Sequence, residues 1–157
     1  MTDDSQRDDS RRDDGTGSES TGDVSRGTAV RRAVLGDAHV DRARDTASEF
    51  SGPWQDHITA TVWGRVWARD GLDRRIRSML TVALLAALHC EAELALHVRA
   101  AVGNGVTADE LREVLLHTSA YAGVPAANSA FTVAQQVLAE LGVPEATQPY
   151  RTGLEMP

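Results

Sequence analysis

The segment CEAELALH, residues 90–97, combines a thiol, two carboxylates and an imidazole. Glu93 and His97 are four residues apart, so on a helix both side chains lie on the same face. There Glu93 could orient the imidazole of His97, fix its tautomer and raise its pKa, as general acid–base catalysis requires. A solvated Glu–His pair on the polar face of a helix has the same spacing, and spacing alone favours this simpler interpretation.

Cys90 opens the segment and is the only cysteine of the chain, so no intramolecular disulfide can form. A single free cysteine fits a reducing cytoplasm, and free cysteines are usually small buried residues without chemistry. A reactive thiol would need neighbours that lower its pKa. His39, His57 and His89 have no partners at metal-ligand spacing, so we predict no metal site.

The charge balance narrows the possible partners. The chain has 157 residues, a formal net charge of -7 and 16 basic residues, all arginine. An acidic chain lacks the basic face that phosphate binding needs, which argues against a nucleic-acid partner. The longest apolar run, MLTVALLAAL, is about half the length that spans a bilayer, and the polar N-terminus shows no secretory signal. We therefore expect a cytoplasmic protein with no membrane partner.

Composition divides the chain into three parts. Residues 1–26 contain eight acidic residues, four arginines and no aromatic residue, so they cannot bury enough surface to offset the entropy of ordering. We predict a disordered acidic tail over 1–26, one helical domain over 27–145 and a C-terminal tail over 146–157.

Helical patterning runs through the middle part, without the alternation typical of strands. Asp73 is predicted to cap a long helix that could break near His89. Thr107, followed by Glu110 three residues later, has the form of a capping box. Further boundaries are predicted at Gly36, Gly52-Pro53, Gly123 and Gly142. Together these signals predict an all-α fold of about six helices.

Three segments resemble one enzyme family in both order and spacing. They are ELALHVRAA, GVTADELREVLLH and GVPAANSAF, within residues 63–141. On these segments the chain is similar to the γ-carboxymuconolactone decarboxylase family. The resemblance implies a compact helical fold of the alkyl hydroperoxidase D-like type, which assembles as a ring, a homotrimer or a homohexamer.

The wider superfamily includes alkyl hydroperoxidase D-like proteins, which carry Cys-x-x-Cys-x-x-x-His on the corresponding helix. Cys90 and His97 match this motif, but Glu93 stands where the second cysteine would be. A dithiol peroxidase cycle needs that second thiol to form its disulfide. The lack of this second cysteine favours the decarboxylase branch of the superfamily over the peroxidase branch.

The resemblance also implies the chemistry, the breakdown of a lactone derived from protocatechuate to β-ketoadipate enol-lactone. The substrate would be an unsaturated lactone with a ring carboxylate and an acetate arm. Loss of CO2 leaves an electron pair that spreads through the ring double bond into the lactone carbonyl, so no cofactor is needed. The protein must hold the acetate arm, stabilise charge on the lactone oxygen and protonate a ring carbon, tasks that suit arginine, fixed donors and histidine.

Within that family context, His97 is expected to act as the acid or as the donor to the lactone oxygen. Glu93 is expected to orient His97 or to carry the proton itself. Arg77 and Arg74, three residues apart after the predicted cap, are expected to clamp a substrate carboxylate, with Arg77 the first choice. The structural alternative for both arginines is that they lie in a solvated first turn of the helix and pair with acidic residues of a neighbour.

His117 and Asn128 lie in segments that are distinctive of the family. We expect both to contact the substrate. Each has a structural alternative, because a histidine can bond a helix end and an asparagine can cap a loop.

Other functions stay open on sequence grounds. A thiol peroxidase or redox protein would use Cys90, and its turnover of hydroperoxide would disappear in Cys90→Ala. The same scaffold could decarboxylate or isomerise a related acid. If the chain is a non-catalytic oligomerisation module, substitution of His97 should leave every activity and ligand affinity unchanged.

Overall fold

The computed structural model describes residues 16–145, with side chains from Thr21 onward. All regular secondary structure in this range is helical, which confirms the all-α prediction. There are seven α-helices, more than the sequence indicated, because the turns at Gly36 and His89 end their helices completely. The helices are α1 (Thr16–Leu35), α2 (Asp37–Asp45), α3 (Gly52–Ile58), α4 (Arg74–Ala87), α5 (Glu91–Gly103), α6 (Ala108–Ala122) and α7 (Val124–Leu141), with a π-helical segment (Thr59–Trp67) after α3.

The predicted helix starts are confirmed by their hydrogen bonds. The side chain of Asp73 accepts from the backbone N–H of Ile76 at 2.8 Å, which caps α4. Thr107 and Glu110 each accept from the other's backbone N–H, forming the capping box of α6. These bonds satisfy N–H groups that the first helical turn leaves without partners.

The helix breaks depend on unusual backbone angles. Gly36, between α1 and α2, has φ 86°, and Gly123, between α6 and α7, has φ 88°. His89 has φ 56° and separates α4 from α5, as the sequence suggested. Such angles favour glycine, so His89 marks a turn that the surrounding packing must hold.

The main core lies among α4, α5, α6 and α7, which pack against one another. Its fully buried side chains include Val82 of α4, Leu94 and Val98 of α5, and Leu111 and Leu115 of α6. This arrangement fixes the orientation of α5, because one side of the helix is buried and the residues on its other side face α1. Within residues 16–145 no helix is both long and apolar enough to cross a bilayer.

α1 packs against the π-helical segment at two glycines. A Cβ atom at Gly27 would overlap the carbonyl oxygen of Thr59, and one at Gly64 would overlap that of Asp23. The buried carboxylate of Asp23 accepts from Arg65 at 2.5 Å and also pairs with Arg26. The lack of side chains at these glycines therefore lets two backbones approach closely.

These contacts correct one predicted boundary. α1 begins at Thr16, so residues 16–26 form the first half of a helix where we expected the end of a disordered tail. The contacts of Asp23 explain the difference, since an acidic residue that composition assigns to a solvated tail is ion-paired here. Residues 1–15 and the predicted tail over 146–157 lie outside the described residues.

Candidate active site

His97 lies in the middle of α5 and is half-buried, while Glu93 is exposed one turn earlier. Burial lowers the pKa of the His97 imidazole below its usual value, and the charge of nearby His39 lowers it further. The carboxylate of Glu93 acts in the opposite direction with a smaller effect. The structure thus brings Glu93 and His97 close enough for Glu93 to raise the pKa of His97 as expected, although burial and His39 outweigh the carboxylate and the net shift is downward.

His39, on α2, joins this site, although no role for His39 was expected from its pattern in the sequence. Burial lowers the pKa of His39, and the charges of Arg31 and Arg42 lower it further. His39 is therefore close enough to Arg31 on one side and to His97 on the other for their charges to interact. The result is a cluster of basic side chains from α1, α2 and α5, in which the charge of Arg31 favours an anionic ligand.

Arg31 of α1 is the most deeply buried cation of this cluster, with 7% of its surface exposed. Its Nη1 donates to Oε1 of Gln55 at 3.0 Å and to Oγ1 of Thr59 at 3.3 Å. Its Nε is buried and has no hydrogen-bond partner among the residues that the structure describes. No carboxylate among the described residues forms an ion pair with Arg31, and burial lowers the pKa of its guanidinium.

A cavity of about 310 Å³ lies beside Arg31, at the low end of the usual size of small-molecule sites. It is enclosed by α1, α2, α3 and the start of the π-helical segment. Its walls include Arg31, Gln55, Thr59, Val24, Val40 and Ala47. His97 is not on these walls. His39 precedes the wall residue Val40 in the chain, and its charge interacts with that of His97.

Arg77 and Arg74 lie at the start of α4. Nε of Arg77 donates to the carbonyl oxygen of Leu72 at 3.2 Å, and its Nη2 donates to that of Arg69 at 3.0 Å. Arg77 therefore ties the loop before α4 to the helix, a structural contact that the sequence did not indicate. Arg74 is exposed, and a substrate role for either arginine stays a prediction.

His117 and Asn128 are both exposed and lie on different helices, α6 and α7. The ring of His117 packs against Tyr121 with centroids 5.0 Å apart and lines a groove that α4 and α6 form. No recorded contact joins His117 or Asn128 to His97 among residues 16–145. Their substrate roles also stay predictions.

Cys90 is the N-cap residue of α5 and is half-buried. Its thiol donates to the carbonyl oxygen of Leu88 at 3.7 Å. In the described part of the chain, no three His, Cys, Asp or Glu side chains gather closely enough to share a metal ion.

The sequence did contain one signal for Arg31. Gly27, Arg31 and Val34 are buried on one face of α1 at helical spacing, so Arg31 occupies a position where an apolar residue is expected. A charged residue on the buried stripe of a helix needs a partner or a ligand. His39 gave no such signal, because its neighbours come from other helices.

The chain matches one known protein family. The model of the carboxymuconolactone decarboxylase family matches residues 53–136. This range includes Gln55 and His97, whereas Arg31 and His39 precede it.

Three relatives carry decarboxylase names. A 4-carboxymuconolactone decarboxylase of Acinetobacter baylyi is 47% identical over 114 residues, which cover 73% of this chain and 85% of the relative. A nitrosuccinic acid decarboxylase of Metarhizium robertsii is 43% identical over 112 residues, 71% of this chain and 78% of the relative. A 4-carboxymuconolactone decarboxylase of Pseudomonas putida is 54% identical over 35 residues, 22% of this chain and 73% of the relative.

Proposed function

The chain belongs to the carboxymuconolactone decarboxylase family, and we propose that it converts 4-carboxymuconolactone to β-ketoadipate enol-lactone and CO2. The similarity to the Acinetobacter baylyi enzyme supports this substrate, because it extends over most of both chains. The cluster of basic side chains formed by Arg31, His39 and His97 supports it independently, since the substrate carries two carboxylates.

The reaction needs no cofactor, because the substrate accepts the electrons itself. The bond between the ring carbon and its carboxylate breaks, and CO2 leaves. The electron pair moves through the ring double bond to the lactone carbonyl oxygen, which becomes an enolate oxygen. A proton is then added to the ring carbon next to that carbonyl, which leaves the double bond at its new position.

His97 is the residue that carries this proposal, because it is half-buried and interacts electrostatically with both His39 and Glu93. Its lowered pKa keeps the ring neutral near pH 7, so it can donate a hydrogen bond to the developing enolate oxygen. A bound dianion raises the pKa of His97, because opposite charges favour the protonated ring. His97 then supplies the proton to carbon, and Glu93 assists because its charge also favours protonation.

A second substrate is favoured by the 43% identical relative, whose name gives nitrosuccinic acid. Nitrosuccinate and 4-carboxymuconolactone share a –CH2–COO⁻ arm beside the carbon that loses CO2. In nitrosuccinate the nitro group accepts the electron pair in place of the lactone carbonyl. The same cluster could therefore serve either acid.

We also propose a cytoplasmic homotrimer or homohexamer. Leu80, Leu84 and Leu88 form an apolar stripe on α4 that is 50%, 62% and 68% exposed. On α6, Leu116 and Tyr121 are exposed as well. Exposed apolar surface of this kind is typical of subunit contacts.

The proposed function is tested by turnover of both acids. Carboxymuconate and its cycloisomerase generate the lactone in situ, and nitrosuccinate is supplied in a parallel reaction. We expect protein-dependent CO2 release with a higher kcat/KM for the lactone. A higher kcat/KM for nitrosuccinate would assign the second function, and no release from either acid would refute both.

A further inference from the structure

We propose that Arg31 holds the carboxylate of the acetate arm of the substrate, inside the cavity that α1, α2 and α3 enclose. The identity of this ligand rests on the proposed function, but a carboxylate site at Arg31 does not. Arg31 precedes the part of the chain that the family model matches. The structure therefore assigns a binding role to a residue outside the range that the family model matches.

The first argument is the missing counter-charge. Burying a guanidinium is costly unless an anion pairs with it. Arg32, which also lines the cavity, pairs with Asp37 at 2.9 Å and with Asp41. Arg31 is more deeply buried than Arg32, yet only neutral oxygens accept from it within the described residues. A ligand carboxylate would supply the anion that Arg31 lacks.

The second argument is the orientation of the free edge. Gln55 and Thr59 accept from Nη1, which fixes the plane of the guanidinium. The edge formed by Nε and Nη2 has no recorded acceptor among residues 16–145. Arginine binds a carboxylate most tightly through two parallel N–H donors. A carboxylate in the cavity can accept from Nη2, and a small shift of the side chain would bring the buried Nε to the same carboxylate.

The third argument selects the carboxylate. An arginine that gripped the carboxylate lost as CO2 would stabilise the ground state and slow the reaction. The arm that the product keeps carries no such penalty, so the arm belongs at Arg31. His39 interacts electrostatically with Arg31 and with His97, so an arm held at Arg31 lies on the side of the cavity toward His39 and His97 in this proposal. The site would then select succinate-like acids that carry an electron-accepting group.

The experiment uses succinate, a stable acid with the same arm, and the full chain. Isothermal titration calorimetry would compare the wild type with Arg31→Gln and Arg31→Lys. We expect succinate affinity to fall about 10-fold or more in Arg31→Gln, the size expected for losing a charged hydrogen-bonded pair. Arg31→Lys keeps the charge but not the fork, so its affinity should lie between the two.

Arg99→Gln is the matched control, because Arg99 lies on α5 and pairs with Glu140 at 2.5 Å. Its succinate affinity should equal that of the wild type. Equal affinities in Arg31→Gln and the wild type would overturn the proposal. If Arg31→Gln does not fold, the Nε–Hε signal of Arg31 in wild-type NMR spectra decides, since a shift on adding succinate supports the site and an unchanged signal refutes it.

Two results separate this proposal from the proposed function. Succinate binding that depends on Arg31, without turnover of the lactone or nitrosuccinate, would support the carboxylate site and refute the reaction. Turnover of the lactone or nitrosuccinate by Arg31→Lys, with KM and succinate affinity equal to those of the wild type, would support the reaction and refute the carboxylate site.

Discussion

His39 of α2 lies close enough to His97 of α5 that its charge lowers the pKa of His97. The two residues are 58 positions apart in the chain, and the turn at Gly36 allows α2 to bring His39 back to this site. Both imidazoles therefore favour the neutral form when the site is empty. An anionic ligand would reverse this preference, which leads to the first prediction.

Binding of a dicarboxylate should raise the pKa of His97. In the empty protein, burial and His39 hold this pKa below 6.5. Succinate brings negative charge into the cluster, which favours the imidazolium. NMR titration of the His97 ring with and without saturating succinate measures the change. A pKa that stays the same on binding would place the ligand away from His97.

Protein stability should decrease as the pH falls from about 7 to about 5. The pKa values of His39 and His97 are lowered from 6.5 in the folded state, so the unfolded chain binds protons more readily across this range. The free energy of unfolding therefore falls with pH until the folded pKa values are passed. Asp23 and Asp41, whose pKa values lie below 3.8, stay ionised in this window and do not contribute.

Urea unfolding at several pH values measures this slope. In His39→Gln and His97→Gln one titrating group is removed, so each variant should show a shallower dependence on pH. If stability depended on pH as steeply in both variants as in the wild type, the lowered pKa values of His39 and His97 would be contradicted.

His97→Gln should separate the two roles of His97. Glutamine can donate a hydrogen bond to the enolate oxygen but cannot deliver a proton. If proton delivery limits the rate, kcat should fall about 10²-fold or more in both His97→Gln and His97→Ala. Steady-state kinetics would compare them with His57→Gln, a control at an exposed histidine of α3. Near-normal turnover in His97→Gln, with loss in His97→Ala, would leave only the hydrogen-bonding role.

Gly27→Ala and Gly64→Ala should each destabilise the fold by about 1–3 kcal/mol or more, the usual cost of overpacking. Each new Cβ would overlap a backbone carbonyl oxygen of the facing helix, and backbone cannot easily move away. Gly22→Ala is the control on α1, because its Cβ would meet no atom within 4 Å. Urea denaturation should show a loss for the first two variants and no loss for Gly22→Ala. Similar free energies of unfolding in all three would contradict the close approach of α1 to the π-helical segment.

Much of the fold could be predicted because its signals are local. The caps at Asp73 and Thr107 and the turn at Gly123 depend on residues a few positions apart, and all three occur as predicted. The start of α1 could not be predicted, because Asp23 is paired by Arg65, which is 42 residues away.

The site was less predictable for the same reason. Glu93 and His97 share a helix face, so their proximity follows from spacing alone. Arg31 and His39 reach the site only through the packing of α1 and α2, and burial, which determines the pKa of His97, is a property of the folded chain. The sequence also did not show that the guanidinium of Arg77 donates to two loop carbonyls, since that contact depends on how the loop before α4 folds.

The most direct test of the central claim is CO2 release from 4-carboxymuconolactone generated in situ, with protein dialysed against a metal chelator. Under the proposed reaction the substrate supplies the electron sink and His97 supplies the proton, so we predict full turnover by the chelator-treated wild type and about 10²-fold less by His97→Ala. No CO2 release by the wild type with an active coupling enzyme, or equal release by His97→Ala, would contradict the proposed reaction or the role of His97.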